Sequence, residues 1–233
     1  MHPPRIPVAS ADEPRSSETR HASLSGRRLA TAALVAFPAL WLGVGRVSLA
    51  QSAPGTARLR ATPAQTEGRF YPPQLPSDHD NDLLRNGTLR YVRGDAGWVE
   101  GTVVDLAGKP LQDATVEIWQ CVESGHYHHP GDGGRADPAF QGFGRTTVDA
   151  DGRWRFHTIK PVPYSGRTPH IHLKVKRGSR ELLTPQLYVA GAAGNERDFL
   201  WRNMPEQDRA AVTLAFQSSS EGWKARFPVV VSA

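Results

Sequence analysis

"WVEGTVVDLAGKPLQDATVEIWQC", residues 98–121, carries the pattern that decides the fold. Val, Thr, Ile and Trp crowd both of its ends, and such side chains favour a pleated strand. Between them, Ala107-Gly108-Lys109-Pro110 supplies turn chemistry, because Gly reaches positive φ and Pro cannot donate to a ladder. In the second half Ala114, Val116 and Ile118 fall on one face and Thr115, Glu117 and Trp119 on the other, since side chains alternate across a strand. The stretch predicts two strands joined by a turn.

The same texture continues outward. "GRTTVDADGRWRFHTIKP", residues 144–161, sets Trp154 and Phe156 against Arg153, Arg155 and His157 around the turn pair Asp151-Gly152. "HIHLKVKRGSRELLTPQLYVAG", residues 170–191, predicts two strands about Gly178-Ser179, and "EGWKARFPVVVSA", residues 221–233, one more. Gly101, Gly108 and Gly152 read as turn residues. The one helical pattern is "MPEQDRAAVTL", residues 204–214. Short strands, frequent turns and little helix predict an all-β fold, an antiparallel β-sandwich over residues 96–233.

The front of the chain has a different character. Residues 1–28 are rich in Ser, Pro and Arg, and an apolar run, Leu29 to Gly45, follows. "VSLAQS" then offers a small-residue cleavage site after Ala50. A basic segment, an apolar segment and such a site predict a signal peptide over residues 1–50. The competing reading is a membrane anchor, but the run is shorter than the roughly 20 residues a span needs and Pro38 interrupts it. Arg27-Arg28 ahead of the run fits the twin-arginine route. The expected product is exported, periplasmic or extracellular, with no stable membrane association after cleavage.

Residues 1–50 hold six of the 28 Lys and Arg and three of the 23 Asp and Glu, so removing them lowers the net charge from +5 to +2. No basic stripe with interleaved aromatics remains, which argues against nucleic acid as a partner. Cys121 stands alone, so no internal disulfide is expected. Residues 51–95, rich in Pro, Gln and Asp, read as an extended N-terminal arm.

The chemistry centres on "PYSGRTPHIHLKVK", residues 163–176. His170 and His172 project to one face of a strand and Ile171 to the other. An H-x-H pair alone fits ordinary surface or core histidines as well as it fits a metal. Other donors stand close in sequence: Tyr164 and Arg167 just upstream, and Tyr127 in "GHYHHP", beside His126, His128 and His129. This set is rich in phenols and poor in carboxylates. Structural zinc prefers Cys and His ligands, and an iron(II) facial triad needs a carboxylate that has no place at this spacing. Phenol ionises near pH 10, so phenolate ligands favour a strongly charged, Lewis-acidic ion.

With these residues in view, the chain resembles the intradiol ring-cleavage dioxygenases, in particular the branch similar to protocatechuate 3,4-dioxygenase. The likeness runs through "TPAQTEGRFYP", "GKPLQDATVEIWQC", "GHYHH", "DPAFQGFGRTTVDADGRWRFHTIKPVPY", "GRTPHIHLKV" and "LLTPQLYVAGAAGNERDF", most of residues 62–200. The resemblance implies a β-sandwich and a non-haem ferric ion, Fe(3+), held by Tyr127, Tyr164, His170 and His172. It implies that Arg167 faces the substrate and stabilises charge, with Gln186 near the same pocket. Tyr164 would leave the metal and help take up a substrate proton, while Tyr127 stays. The implied substrates are a catechol and O2, and the implied product is a cis,cis-muconate-type diacid.

The chain departs from the family in three places: Arg69 where many relatives have proline, a short Tyr164-to-His170 segment, and His126 where arginine is common. The same strand frame also resembles transthyretin-like modules that bind without catalysing, and an exported copper- or zinc-binding protein is a further alternative. A carboxylate on the substrate would need a cation, for which Arg69, Arg135 and Arg145 stand unranked. An oligomer is compatible with the sequence.

Overall fold

The protein's architecture comes from a computed structural model that describes residues 58–233. The expected signal peptide and its Arg27-Arg28 pair lie outside the described residues. Two sheets form a sandwich. The strands are β1 (Arg85–Asn86), β2 (Leu89–Arg90), β3 (Ala96–Asp105), β4 (Ala114–Trp119), β5 (Phe143–Thr147), β6 (Arg153–Ile159), β7 (His170–Arg177), β8 (Arg180–Leu183), β9 (Gln186–Val189), β10 (Thr213–Leu214), β11 (Gln217–Ser219), β12 (Gly222–Arg226) and β13 (Val229–Val231). Two short helices are present, α1 (Phe199–Arg202) and α2 (Glu206–Ala211). The second falls inside the segment with the helical pattern.

The first sheet runs β10-β9-β7-β4-β5 with β8 on the flank of β7, and the second runs β11-β12-β3-β13 with β6 on β3. Their inner faces supply the core: Val116 and Ile118 of β4 and Ile171, Leu173 and Val175 of β7 meet Val99 and Val103 of β3, Trp154 and Phe156 of β6, and Val229 and Val231 of β13. Each such side chain contributes about 1.5–3 kcal/mol when fully buried, so alternation on β4, β6 and β7 is enough to define this layer.

The strand pattern differs from the expectation in four ways. Residues 170–191 form three strands because Pro185 separates β8 from β9, and proline cannot donate to the ladder. The C-terminal segment forms two strands, broken at Phe227-Pro228, and both run parallel to β3. β10 also pairs with β9 in parallel, so the sandwich is mainly, not wholly, antiparallel. Gly101 is no turn residue. It sits inside β3, where an added Cβ would fall 1.8 Å from the Phe227 carbonyl oxygen.

A further feature bears on function. The outer face of the first sheet, which carries the histidine pair, is buried: Glu117, Trp119, His170, His172 and Gln186 are all closed from solvent. What covers them is a segment with no regular element, residues 58–81. It is tied across the sandwich by backbone bonds from Leu59 to Leu106, Thr62 to Val230 and Gln65 to Thr184.

Candidate metal centre

The register of β4, β7 and β9 builds the floor of the site. Trp119 pairs with His172, His172 with Gln186, and His170 with Tyr188. The His172 ring lies flat on Trp119, with centroids 4.8 Å apart and planes within 9°. His170 is fixed by a different contact: its Nδ1 lies 2.7 Å from the Thr168 carbonyl. That oxygen only accepts, so Nδ1 carries the proton and Nε2 is left with its lone pair. This lone pair faces His172 Nε2 at 3.2 Å. Burial, followed by the Arg167 charge, lowers the His170 pKa to about 4. Burial, then His170 and Arg167, likewise hold His172 neutral. Two neutral imidazoles with converging nitrogens are what metal ligation requires.

Tyr127 enters from the loop after β4. That loop is held by Tyr127 N–H donating to Asp132 Oδ2 at 2.6 Å and by His129, which caps the short turn Pro130–Asp132. His126 sits against Asp132 and His128 against the Asp137 carbonyl, so the neighbouring histidines support the loop. The Tyr127 ring is 2 % exposed, and its hydroxyl is buried with no hydrogen-bond partner. Burial pushes its pKa well up. Tyr164 stands edge-on to Tyr127 at 4.9 Å, with its hydroxyl 3.5 Å from His170 Nε2. It is half-buried, and burial raises its pKa against the pull of Arg167.

Arg167 is set beside Tyr164 by a tight turn. Its N–H donates to the Tyr164 carbonyl at 2.7 Å, and Ser165 and Gly166 both take positive φ, 42° and 77°, the geometry of a type I′ turn. The guanidinium donates from Nε to Asp198 Oδ2 at 2.6 Å and from Nη2 to Gln186 Oε1 at 2.7 Å. Burial works against its charge, yet Asp198 raises its pKa overall. Gln186 in turn donates through Nε2 to the Thr66 carbonyl at 2.9 Å. All six residues named from the sequence, Tyr127, Tyr164, Arg167, His170, His172 and Gln186, are therefore gathered on one covered face.

The cover is specific. Gly68 has φ 78°, and a Cβ there would lie 3.2 Å from His172 Cε1. Phe70 stacks on Tyr127, with centroids 4.5 Å apart at 14°. Tyr71 donates to Glu117 Oε2 at 2.9 Å, and Glu117 accepts from Arg145 Nε at 2.9 Å. Lys174 pairs with Glu67 and Glu181 and lies 3.9 Å over the Tyr71 ring. Sequence reasoning missed Gly68, Phe70, Tyr71, Glu117, Lys174 and Asp198. On β4 and β7 the charges at Glu117 and Lys174 look like a solvated face, and the only hint was their placement on the same face as the histidines.

The donor set fits a metal ion. Among the described residues no three His, Cys, Asp or Glu side chains converge; the cluster exists only once phenols are counted. A buried phenol without a partner is unfavourable by about 1–3 kcal/mol, and a cation between Tyr127 and the two imidazole nitrogens would satisfy it. Tyr127, Tyr164, His170 and His172 are the residues that would hold it. A groove of about 810 Å³ beside Thr102, Arg153 and Trp154 contains none of them. Its size reflects the open rim of the sandwich, and the chemistry lies elsewhere.

Comparison with known proteins bears on the same residues. Residues 66–226 match the family described as Dioxygenase. The beta chain of protocatechuate 3,4-dioxygenase from Burkholderia cepacia is 36% identical over 163 residues, 63% of this chain and 67% of that one. Hydroxyquinol 1,2-dioxygenase from Corynebacterium glutamicum is 31% identical over 144 residues, 54% of this chain and 46% of that one. The chain thus spans about half to two thirds of the length of such relatives. Among solved structures, the dioxygenase domain of a dioxygenase carbohydrate-binding protein fusion from Streptomyces sp. SirexAA-E superposes with a TM-score of 0.60 at 31% identity, covering 75% of this chain and 99% of that one. An intradiol ring-cleavage dioxygenase from Tetranychus urticae has the same fold, with a TM-score of 0.60 at 20% identity, covering 75% and 95%.

Proposed function

The chain belongs to the intradiol ring-cleavage dioxygenase family, and on that premise we propose that it is an exported Fe(3+) enzyme that cleaves a catechol between its two hydroxyl-bearing carbons. Both atoms of O2 enter the product, the bond between those carbons breaks, and a cis,cis-muconate-type diacid results. The observation that carries the reading is the convergence of Tyr127, Tyr164, His170 and His172 on one buried face, with a partnerless phenol among them.

A ferric ion bound there would supply the Lewis acidity that lowers phenol pKa values and draws electron density from a catechol. The residues divide the remaining work. Tyr127 is buried and pinned under Phe70, so it stays in place. Tyr164 is half-exposed at the mouth, so its oxygen is the one able to exchange a proton with an entering catechol. Arg167 keeps its charge at any working pH, and Asp198 and Gln186 fix its direction. It is placed to stabilise negative charge that builds on the ring. Phe70, Trp119 and Tyr127 exclude water from the donor face. A non-catalytic transthyretin-like module would have no use for a buried phenol beside two facing imidazoles.

Iron content, visible absorption and oxygen uptake across substituted catechols test the proposal. Iron near one per chain, a visible band from tyrosine–ferric charge transfer and uptake of one O2 per catechol are expected. Colourless, iron-free protein that consumes no O2 after iron loading would overturn it. Export is tested separately below.

A further inference from the structure

A catechol bearing an anionic substituent needs a cation at the mouth of the site, and the structure separates the three arginines that the sequence left unranked. Arg145 is spent: its guanidinium is paired with the fully buried Glu117, which also accepts from Tyr71. Arg135 reaches back to Asp132 on its own loop, with a side chain 63% exposed. Arg69 is different. Among the described residues it has no acidic partner within ion-pair distance, and its nearest acidic neighbour in the chain, Glu67, is taken by Lys174.

Its position is fixed from both sides. Gly68 lies against the His172 ring and Phe70 against the Tyr127 ring, so the Arg69 backbone is held over two of the four donors. The guanidinium lies 5.1 Å from the Phe70 centroid, and its Nη2 lies 3.9 Å from where a Cβ on Gly131 would stand. It therefore spans the gap between the covering segment and the loop that carries Tyr127. An unpaired, exposed charge at this rim stabilises an anion on a ring seated below and is neutral toward a ring without one.

We propose that Arg69 is a specificity-determining residue that makes this site favour catechols carrying an anionic substituent, a carboxylate or sulfonate, over unsubstituted catechol. The proposal rests on the catechol-cleaving function given above. One other cation competes for the role. Arg197 shares an open groove with Tyr164 and Arg167, and among the described residues it too has no acidic partner within ion-pair distance, since its neighbour Asp198 is held by Arg167, so the test includes it.

The test compares iron-loaded full-length wild type with Arg69→Gln, Arg69→Lys and Arg197→Gln, using 3,4-dihydroxybenzoate and catechol as probes. The ratio of kcat/KM for dihydroxybenzoate to that for catechol is expected to fall at least ten-fold in Arg69→Gln, through KM more than kcat. Arg69→Lys should recover part of the ratio, and Arg197→Gln should leave it where it was. The KM for dihydroxybenzoate should rise with salt in wild type and lose that sensitivity in Arg69→Gln. An unchanged ratio in Arg69→Gln, or a fall confined to Arg197→Gln, overturns the proposal. If wild type cleaves neither probe, the catechol-cleaving function fails on its own. Calorimetric binding of dihydroxybenzoate then decides the role of Arg69, and equal or absent binding in wild type and Arg69→Gln overturns it.

Discussion

Arg167 and Asp198 form a buried ion pair that is also a helix cap: Asp198 Oδ2 accepts from Arg167 Nε at 2.6 Å and from the Thr168 N–H at 3.0 Å, while Oδ1 accepts from the first turn of α1. One carboxylate thus aims the guanidinium, anchors the backbone ahead of His170 and starts a helix. Burial raises the Asp198 pKa, but the Arg167 and Thr168 donors outweigh it and the net shift is downward. A depressed carboxylate contributes stability above its unfolded value, near pH 3.9, and that stability is lost as pH falls through the depressed folded value. Denaturant titrations should show wild type losing stability steeply below about pH 4, with Asp198→Asn much flatter. Asp198→Ala removes pair and cap together and should cost about 3–5 kcal/mol at neutral pH. Equal slopes for wild type and Asp198→Asn would refute the linkage.

Arg167→Ala isolates the charge from the ligands. Iron and visible band should remain, since no donor is lost, and catechol should still perturb the band. Turnover should fall by roughly 10²–10³, the usual scale for removing one charge-stabilising group. Parent-level turnover would remove Arg167 from the mechanism even with every ligand in place.

His172→Ala strikes the donor set itself. The variant should lose most of its iron, measured by metal analysis after dialysis, and with it the colour. The Trp119 face that His172 covers is also exposed to a cavity, so a loss of about 1–3 kcal/mol in stability should accompany it. Full iron retention would show that His172 is no ligand.

Gly68→Ala tests the cover. A side chain at φ 78° is strained by roughly 1–2 kcal/mol, and its Cβ would press on His172 Cε1. Activity should drop while the sandwich stays folded. Limited proteolysis should cut within residues 58–72 faster than in wild type. Unchanged cleavage and unchanged activity together would mean that this segment does not constrain the site.

The proposed export signal is tested by Arg27→Lys with Arg28→Lys. Export through the twin-arginine route should stop, leaving full-length protein in the cytoplasm on fractionation. Normal export of the double variant would assign the segment to the general secretory route.

The sequence made some layers plain and hid others for physical reasons. Ile171, Leu173 and Val175 alternate with His170, His172 and Lys174, so the inner core and the direction of the histidine pair were both legible. Alternation cannot report what covers the other face. Glu67 meets Lys174 across 107 residues and Tyr71 meets Glu117 across 46, separations over which no periodicity carries information. Asp198 was hidden differently. A single aspartate before a four-residue helix reads as an ordinary cap, and its hold on Arg167, 31 residues upstream, has no local signature. The parallel placement of β12 and β13 on β3 was equally illegible, because parallel pairing needs a long connection whose path the strands do not encode.

The covering segment has one further consequence, for the order of assembly. Its bonds reach Thr184, Gln186 and Tyr188, residues that leave the ribosome more than a hundred positions after it. What is synthesised early can therefore seat only after β9 is complete, when a long chain loop must close. Until that moment the donor face would lack its cover. A metal ion would then meet the donor face from an open side, and seating of residues 58–81 would close it off.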